Sequence, residues 1–123
     1  MTEPTTHEEP EQLAVSADEP RPGRLVVRLT GWLDLATAPE LEARLHQLLD
    51  VHEPQTIVVD LSRTEFLGSA GVAVLLRLRR RALARGCEVP CLVGLTGRAR
   101  RTMDSLGILP MFTTSDDVPG GTS

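Results

Sequence analysis

The sequence contains no lysine and no tyrosine. All thirteen basic residues are arginine, so a Walker-type phosphate loop and Schiff-base chemistry are excluded. Aromatic residues number three, Trp32, Phe66 and Phe112. A core must therefore come from Leu, Val, Ile and Ala, and there are too few rings to stack nucleic-acid bases. No apolar run approaches the roughly 18 residues of a membrane span. The acidic, proline-rich N-terminus does not read as a signal peptide. Cys87 and Cys91 are the whole thiol complement, too few for a disulfide framework. If both lie on one strand, their Cα atoms stand about 13 Å apart, too far to bridge, so buried reduced thiols are expected. These absences together predict a cytoplasmic protein.

What is present is ordinary for one globular domain: 123 residues, 41% hydrophobic and 24% charged. The charge is unevenly distributed. Residues 1–23 carry six acids against Arg21, whereas residues 24–112 carry twelve arginines against nine acids. This divides the chain into an acidic, largely disordered segment at 1–23, a domain at 24–113 and a flexible polar tail at 114–123. Within the first segment, Leu13–Val15 is a candidate edge strand.

Periodicity places the elements. "RLVVRLT" (24–30) alternates as a strand, with Leu25, Val27 and Leu29 on one face. Thr37 and Glu40 have capping-box spacing ahead of a helix over 37–50, whose apolar stripe is Leu41, Leu45, Leu48 and Leu49. His46 and His52 are expected to face solvent, since no further ligand clusters beside them. "TIVVDL" (56–61) is a strand covered on both faces. A second helix follows over 70–85, with Val72, Leu75, Leu76 and Leu83 inward and Gly86 as its stop. "CLVGL" (91–95) is a strand. Residues 97–106 form a third helix with Ala99, Met103 and Leu106 inward, and "ILPMFT" (108–113) is a last short strand. Strands alternating with helices imply an α/β domain, with a mostly parallel or mixed sheet of four to five strands flanked by helices.

The unusual stretch is "LGSAGVAVLL", in which Ser69 sits between glycines where a helix should begin. A nucleophile elbow requires G-x-S-x-G with its histidine downstream. Here the glycines stand at −1 and +2, and His7, His46 and His52 all precede the serine. Catalysis is therefore disfavoured, and with no phosphate-binding glycine pattern no cofactor or metal is expected. The arginine run Arg77, Arg80 and Arg81, with Arg98, Arg100 and Arg101, belongs to a solvated or protein-facing surface rather than to nucleic-acid binding. Ser69 is left as a helix cap, worth about 1 kcal/mol, or as a modification site.

Four stretches in order, "VVRLTGWLDLATAPEL", "IVVDLSRTEFLGSAGVAVLL", "GCEVPCLVGLTGRARRTMDSLGI" and "LPMF", resemble the STAS domain, in particular the small bacterial anti-sigma factor antagonists. The resemblance covers about Arg24 to Phe112. It implies a binding protein, not an enzyme, that engages an anti-sigma factor with serine kinase activity and so frees a sigma factor. It also implies that the partner phosphorylates Ser69, with Asp34, Leu35, Ala36, Thr37, Gly68, Ser69, Ala70 and Gly71 forming the partner-binding patch. No direct nucleic-acid or membrane partner is implied. Two positions depart from the pattern D-S-x-G: the aspartate is Gly68, and the hydroxyl residue that often follows the serine is Ala70. Ser62 and Thr64 are lesser phosphorylation candidates. These departures keep open an alternative, a STAS binding module or scaffold without phosphorylation control. The last helix usual in the family is expected to be missing or very short, because Pro119, Gly120 and Gly121 would break it.

Overall fold

The computed structural model describes residues 12–115. The expected disorder before Gln12, the tail beyond Ser115 and the expected loss of a last helix around Pro119 lie outside the described residues. The sheet has five strands in chain order: β1 (Ala14–Arg21), β2 (Arg24–Leu33), β3 (Thr56–Leu67), β4 (Cys91–Val93) and β5 (Thr113–Ser115). β1 runs antiparallel to β2, and every other neighbouring pair is parallel. Each parallel pair needs a crossover. These carry α1 (Ala38–His52), α2 (Ser69–Ala84) and α3 (Gly97–Ser105) in turn.

All three helices contribute to one apolar cluster. It combines Leu41, Leu45 and Leu49 of α1, Val72, Leu75 and Leu78 of α2, and Ala99 and Met103 of α3 with Leu25, Val27, Leu29, Ile57, Val59 and Leu61 of the sheet. The alternate sheet residues Val26, Val58 and Val93 form a separate, smaller cluster on the other face. Side chains alternate across a strand, so the sheet has one helix-covered face and one helix-free face. None of the helices among the described residues is long and apolar enough to cross a membrane.

Several sequence expectations need correction. The acidic segment is ordered from residue 14, where β1 pairs with β2 through the Pro22–Gly23 turn. Pro22 fixes φ and Gly23 adopts φ +84°, the Pro–Gly combination of a type II turn. Asp18, Glu19 and Pro20 are tolerated because β1 is an edge strand, where charge and proline cost least. The domain therefore begins before residue 24, and β5 carries it to Ser115. The segment "LPM" (109–111) is a 3₁₀ turn, since Pro110 cannot donate to a ladder, and the last strand follows it. Leu83 and Leu106, expected inward, are exposed because each falls at the end of its helix, off the buried stripe.

Cys87 is not on the strand that holds Cys91. It lies between α2 and β4, with its thiol donating to the carbonyl of Pro54 at 3.0 Å. Both cysteines are free, and burial pushes both thiols up from their ordinary value. His46 and His52 are half-buried rather than solvent-facing. His52 Nδ1 lies 2.8 Å from Glu19 Oε1, which ties the β1–β2 hairpin to the end of α1. Among the described residues no group of three or more metal-type side chains is found.

Candidate functional site

The C-terminal ends of β2 and β3 lie side by side, with Leu33 paired to Leu67. The loop after β2 and the start of α2 after β3 therefore emerge together, which brings residues 34–37 and 68–71 to one place. The Gly68 N–H donates to the Leu33 carbonyl at 2.9 Å and joins the two segments. A Cβ on Gly71 would come within 2.7 Å of both the Cβ and the carbonyl oxygen of Leu33. Only a glycine lets the first turn of α2 approach the strand end so closely.

The 34–37 loop is held by its own polar groups. Asp34 Oδ1 accepts from the amides of Ala36 (3.0 Å) and Thr37 (3.1 Å). Thr37 Oγ1 accepts from the Asp34 amide (3.0 Å) and donates to the Trp32 carbonyl (2.7 Å). The capping-box expectation for Thr37 and Glu40 is thus not realised: Thr37 is the N-cap residue, but its side chain makes no cap bond to the helix. Its hydroxyl serves the loop because Asp34 lies within reach upstream. The result is a fixed turn that projects Leu35, 81% exposed, with Ala36 beside it.

Ser69 is exposed and is the first residue of α2. The N-cap is Gly68, in extended conformation, so Ser69 is not the cap that the sequence allowed. Its hydroxyl has no hydrogen-bond partner among the described residues. The first bond closing the helix is Val72 N–H to the Gly68 carbonyl. The amides of Ser69, Ala70 and Gly71 therefore precede the ladder, and the first turn holds no acidic side chain. Such an end carries a partial positive charge and unmet donors, which favour an anion.

Trp32 stacks on Phe66 with ring centroids 5.0 Å apart, as befits a packing residue. A Cβ on Gly68 would stand 2.9 Å from Phe66 Cε2. The aspartate expected by resemblance at position 68 would require that ring to move.

Behind the site, Arg77 of α2 forks onto Glu42 of α1, with Nε–Oε2 at 2.8 Å and Nη2–Oε1 at 2.7 Å. That guanidinium holds the Glu42 carboxyl below its ordinary value. His46 lies 3.6 Å from the same carboxylate, and its Nε2 is buried without a hydrogen-bond partner. Arg79 donates to the Met111 carbonyl and Arg85 to the Leu49 carbonyl, whereas Arg80, Arg81, Arg98 and Arg101 have no side-chain hydrogen-bond or ion-pair partner among the described residues. The sequence pattern missed the Arg77–Glu42 fork because its partners are 35 residues apart. It placed Gly71 in the partner patch but did not give its close approach to Leu33, because that neighbour is set by register.

The family model of the STAS domain matches residues 16–120. Over 53 residues the chain is 40% identical to the anti-sigma-F factor antagonist RsfB of Mycobacterium tuberculosis, a stretch covering 43% of each chain. The match thus spans less than half the length of that curated relative. An anti-sigma factor antagonist from Mycobacterium paratuberculosis, known from its crystal structure, superposes with a TM-score of 0.78 at 25% identity, over 89% of this chain and 91% of that one. The antagonist SpoIIAA in its unphosphorylated form superposes at 0.69 with 22% identity, over 85% and 90% of the two chains, a likeness of fold.

Proposed function

This chain belongs to the STAS domain family, and from that premise we propose that it is a cytoplasmic anti-sigma factor antagonist, a binding protein rather than an enzyme. Its partner is an anti-sigma factor with serine kinase activity. The partner lands on the patch made by Asp34, Leu35, Ala36 and Thr37 with Gly68, Ser69, Ala70 and Gly71, and phosphorylation of Ser69 ends the interaction. The observation that carries this is the exposed Ser69 hydroxyl, without a partner among the described residues, at a helix start that has no side-chain cap, beside the projecting Leu35. Two relatives named as anti-sigma factor antagonists support the role.

The physics separates the protein's tolerance from its partner's. Phosphate adds about −1.5 to −2 charge. At the α2 N-terminus that charge meets free amides and a favourable dipole, so the fold accepts it. Across an interface packed on Leu35, an unpaired charge costs a few kcal/mol. Affinity then falls about 100-fold or more, at 1.4 kcal/mol per decade.

Calorimetry against the cognate anti-sigma factor tests this with wild type, Ser69→Ala, Ser69→Glu and enzymatically phosphorylated protein. Ser69→Ala should bind like wild type, Ser69→Glu weakly and the phosphoprotein most weakly. Equal affinities for all four, with no phosphate transfer from ATP, favour a scaffold without phosphorylation control. Gly68 and Ala70, which depart from the family pattern around the serine, are the observation behind that second reading.

A further inference from the structure

On the helix-free face of the sheet lies a cavity of about 410 Å³, lined by Ser16 of β1, Arg28 and Thr30 of β2, and Asp60, Ser62 and Arg63 of β3. Its shape comes from an irregularity in β3. Arg28 pairs with Asp60, but Thr30 pairs with Arg63, so β3 advances three residues while β2 advances two. The extra residue makes a bulge, a feature over-represented beside binding sites.

Asp60, 5% exposed, is the one buried charged residue among the described residues. Its Oδ1 accepts from the Ser62 amide at 2.9 Å. Among the described residues no cationic group pairs with it. Arg28, its neighbour across the strands, turns instead to Asp18, with Nη1–Oδ1 at 3.2 Å. A buried carboxylate with unused acceptor capacity is costly unless positive charge or donors reach it. Arg63 stands exposed at the same cavity, without a partner among the described residues.

We propose that this cavity binds a small zwitterion of the α-amino acid class. The ammonium group sits on Asp60, the carboxylate meets Arg63 and the free edge of Arg28, and the hydroxyls of Ser16, Thr30 and Ser62 complete the polar contacts. A simple anion is opposed by Asp60 and a simple cation by the two guanidinium groups, whereas a zwitterion satisfies both. No aromatic side chain lines the cavity, which disfavours flat, stacking ligands such as nucleobases. The volume suits a small molecule. The site is separate from the Ser69 patch and does not depend on the function proposed for it.

The test is ligand-observed NMR with the full chain and the twenty proteinogenic amino acids at millimolar concentration, followed by titration of those that bind. Acetate and ethylammonium serve as single-charge probes. At least one amino acid should bind, more tightly than either probe. Asp60→Asn keeps an acceptor for the Ser62 amide and should weaken binding at least ~10-fold, the scale of a lost charge-assisted contact. Arg63→Ala, at an exposed position with no fold contact to lose, should weaken it similarly. Ser69→Ala should leave it unchanged. Silence from all twenty amino acids overturns the proposal, as does binding unaltered by Arg63→Ala. Binding of acetate or ethylammonium as strong as that of the best amino acid overturns it too.

Discussion

The carbonyl oxygen of Leu33 lies 2.7 Å from where the β-carbon of any larger residue at Gly71 would stand. This contact sets how closely α2 begins against the end of β2, and with it the spacing of the two loops at the candidate site. Gly71→Ala should push the helix start away and destabilise the fold by about 1–3 kcal/mol, the usual cost of overpacking. Urea denaturation measures the loss. An unchanged midpoint would show that the helix start slides freely.

Ser69→Ala should alter stability by less than about 0.5 kcal/mol, as expected of a surface substitution, because the Ser69 hydroxyl bonds nothing among the described residues. Removal of a true N-cap would cost about 1 kcal/mol. Phosphoserine at the same position should stabilise the isolated protein by about 0.3–1 kcal/mol through the helix dipole. Thermal melts of the three forms decide.

Leu35→Ala should leave the melting temperature in place, since the side chain is 81% exposed. If the proposed partner surface is right, the same change should weaken binding of the anti-sigma factor by about 1–2 kcal/mol, within the range of interface truncations. Calorimetry on the unphosphorylated protein gives the number.

The Arg77–Glu42 fork makes part of the stability depend on pH. The Glu42 carboxyl, ordinarily at 4.5, is lowered chiefly by its hydrogen bond to Arg77. Its contribution is therefore complete above that ordinary value and is lost as pH falls through the lowered folded value. Arg77→Met should have a lower urea midpoint than wild type at neutral pH, with the gap closing on acidification below 4.5. A gap that stays constant to pH 3 would mean the fork contributes only packing.

Glu53, at the end of α1, holds φ at +46°, the left-handed region that favours glycine. Glu53→Gly should raise stability by about 0.5–1 kcal/mol. Denaturant titration with an unchanged slope is the check.

The elements legible in the sequence were those whose reason is local. The stripe Leu41, Leu45, Leu49 and the run Ile57–Leu61 announced themselves by spacing, and α2 began one residue before its expected start. β1 was only glimpsed, because its strand character rests on pairing with β2 rather than on its own acidic, proline-containing sequence. The length of β3 was hidden for a similar reason: Ser62 to Phe66 looks like a loop, and two register shifts against β2 keep it in the sheet. At the candidate site the motif located Ser69 at a helix start. It did not show that Gly68 is the cap, that Thr37 secures the loop rather than the helix, or that Leu35 projects. Those depend on which carbonyls and amides the strand ends bring into reach.

The strand order has a consequence for synthesis. Because the sheet order repeats the chain order from β1 to β5, no strand waits for a neighbour encoded later than the next one. On a ribosome, where the N-terminus leaves first, the β1–β2 hairpin can close once β2 has followed the Pro22–Gly23 turn out of the exit tunnel. Each helix-and-strand unit then docks onto an edge already present. Growth is by accretion at one side, and the edge left bare at each stage is the one the next unit covers.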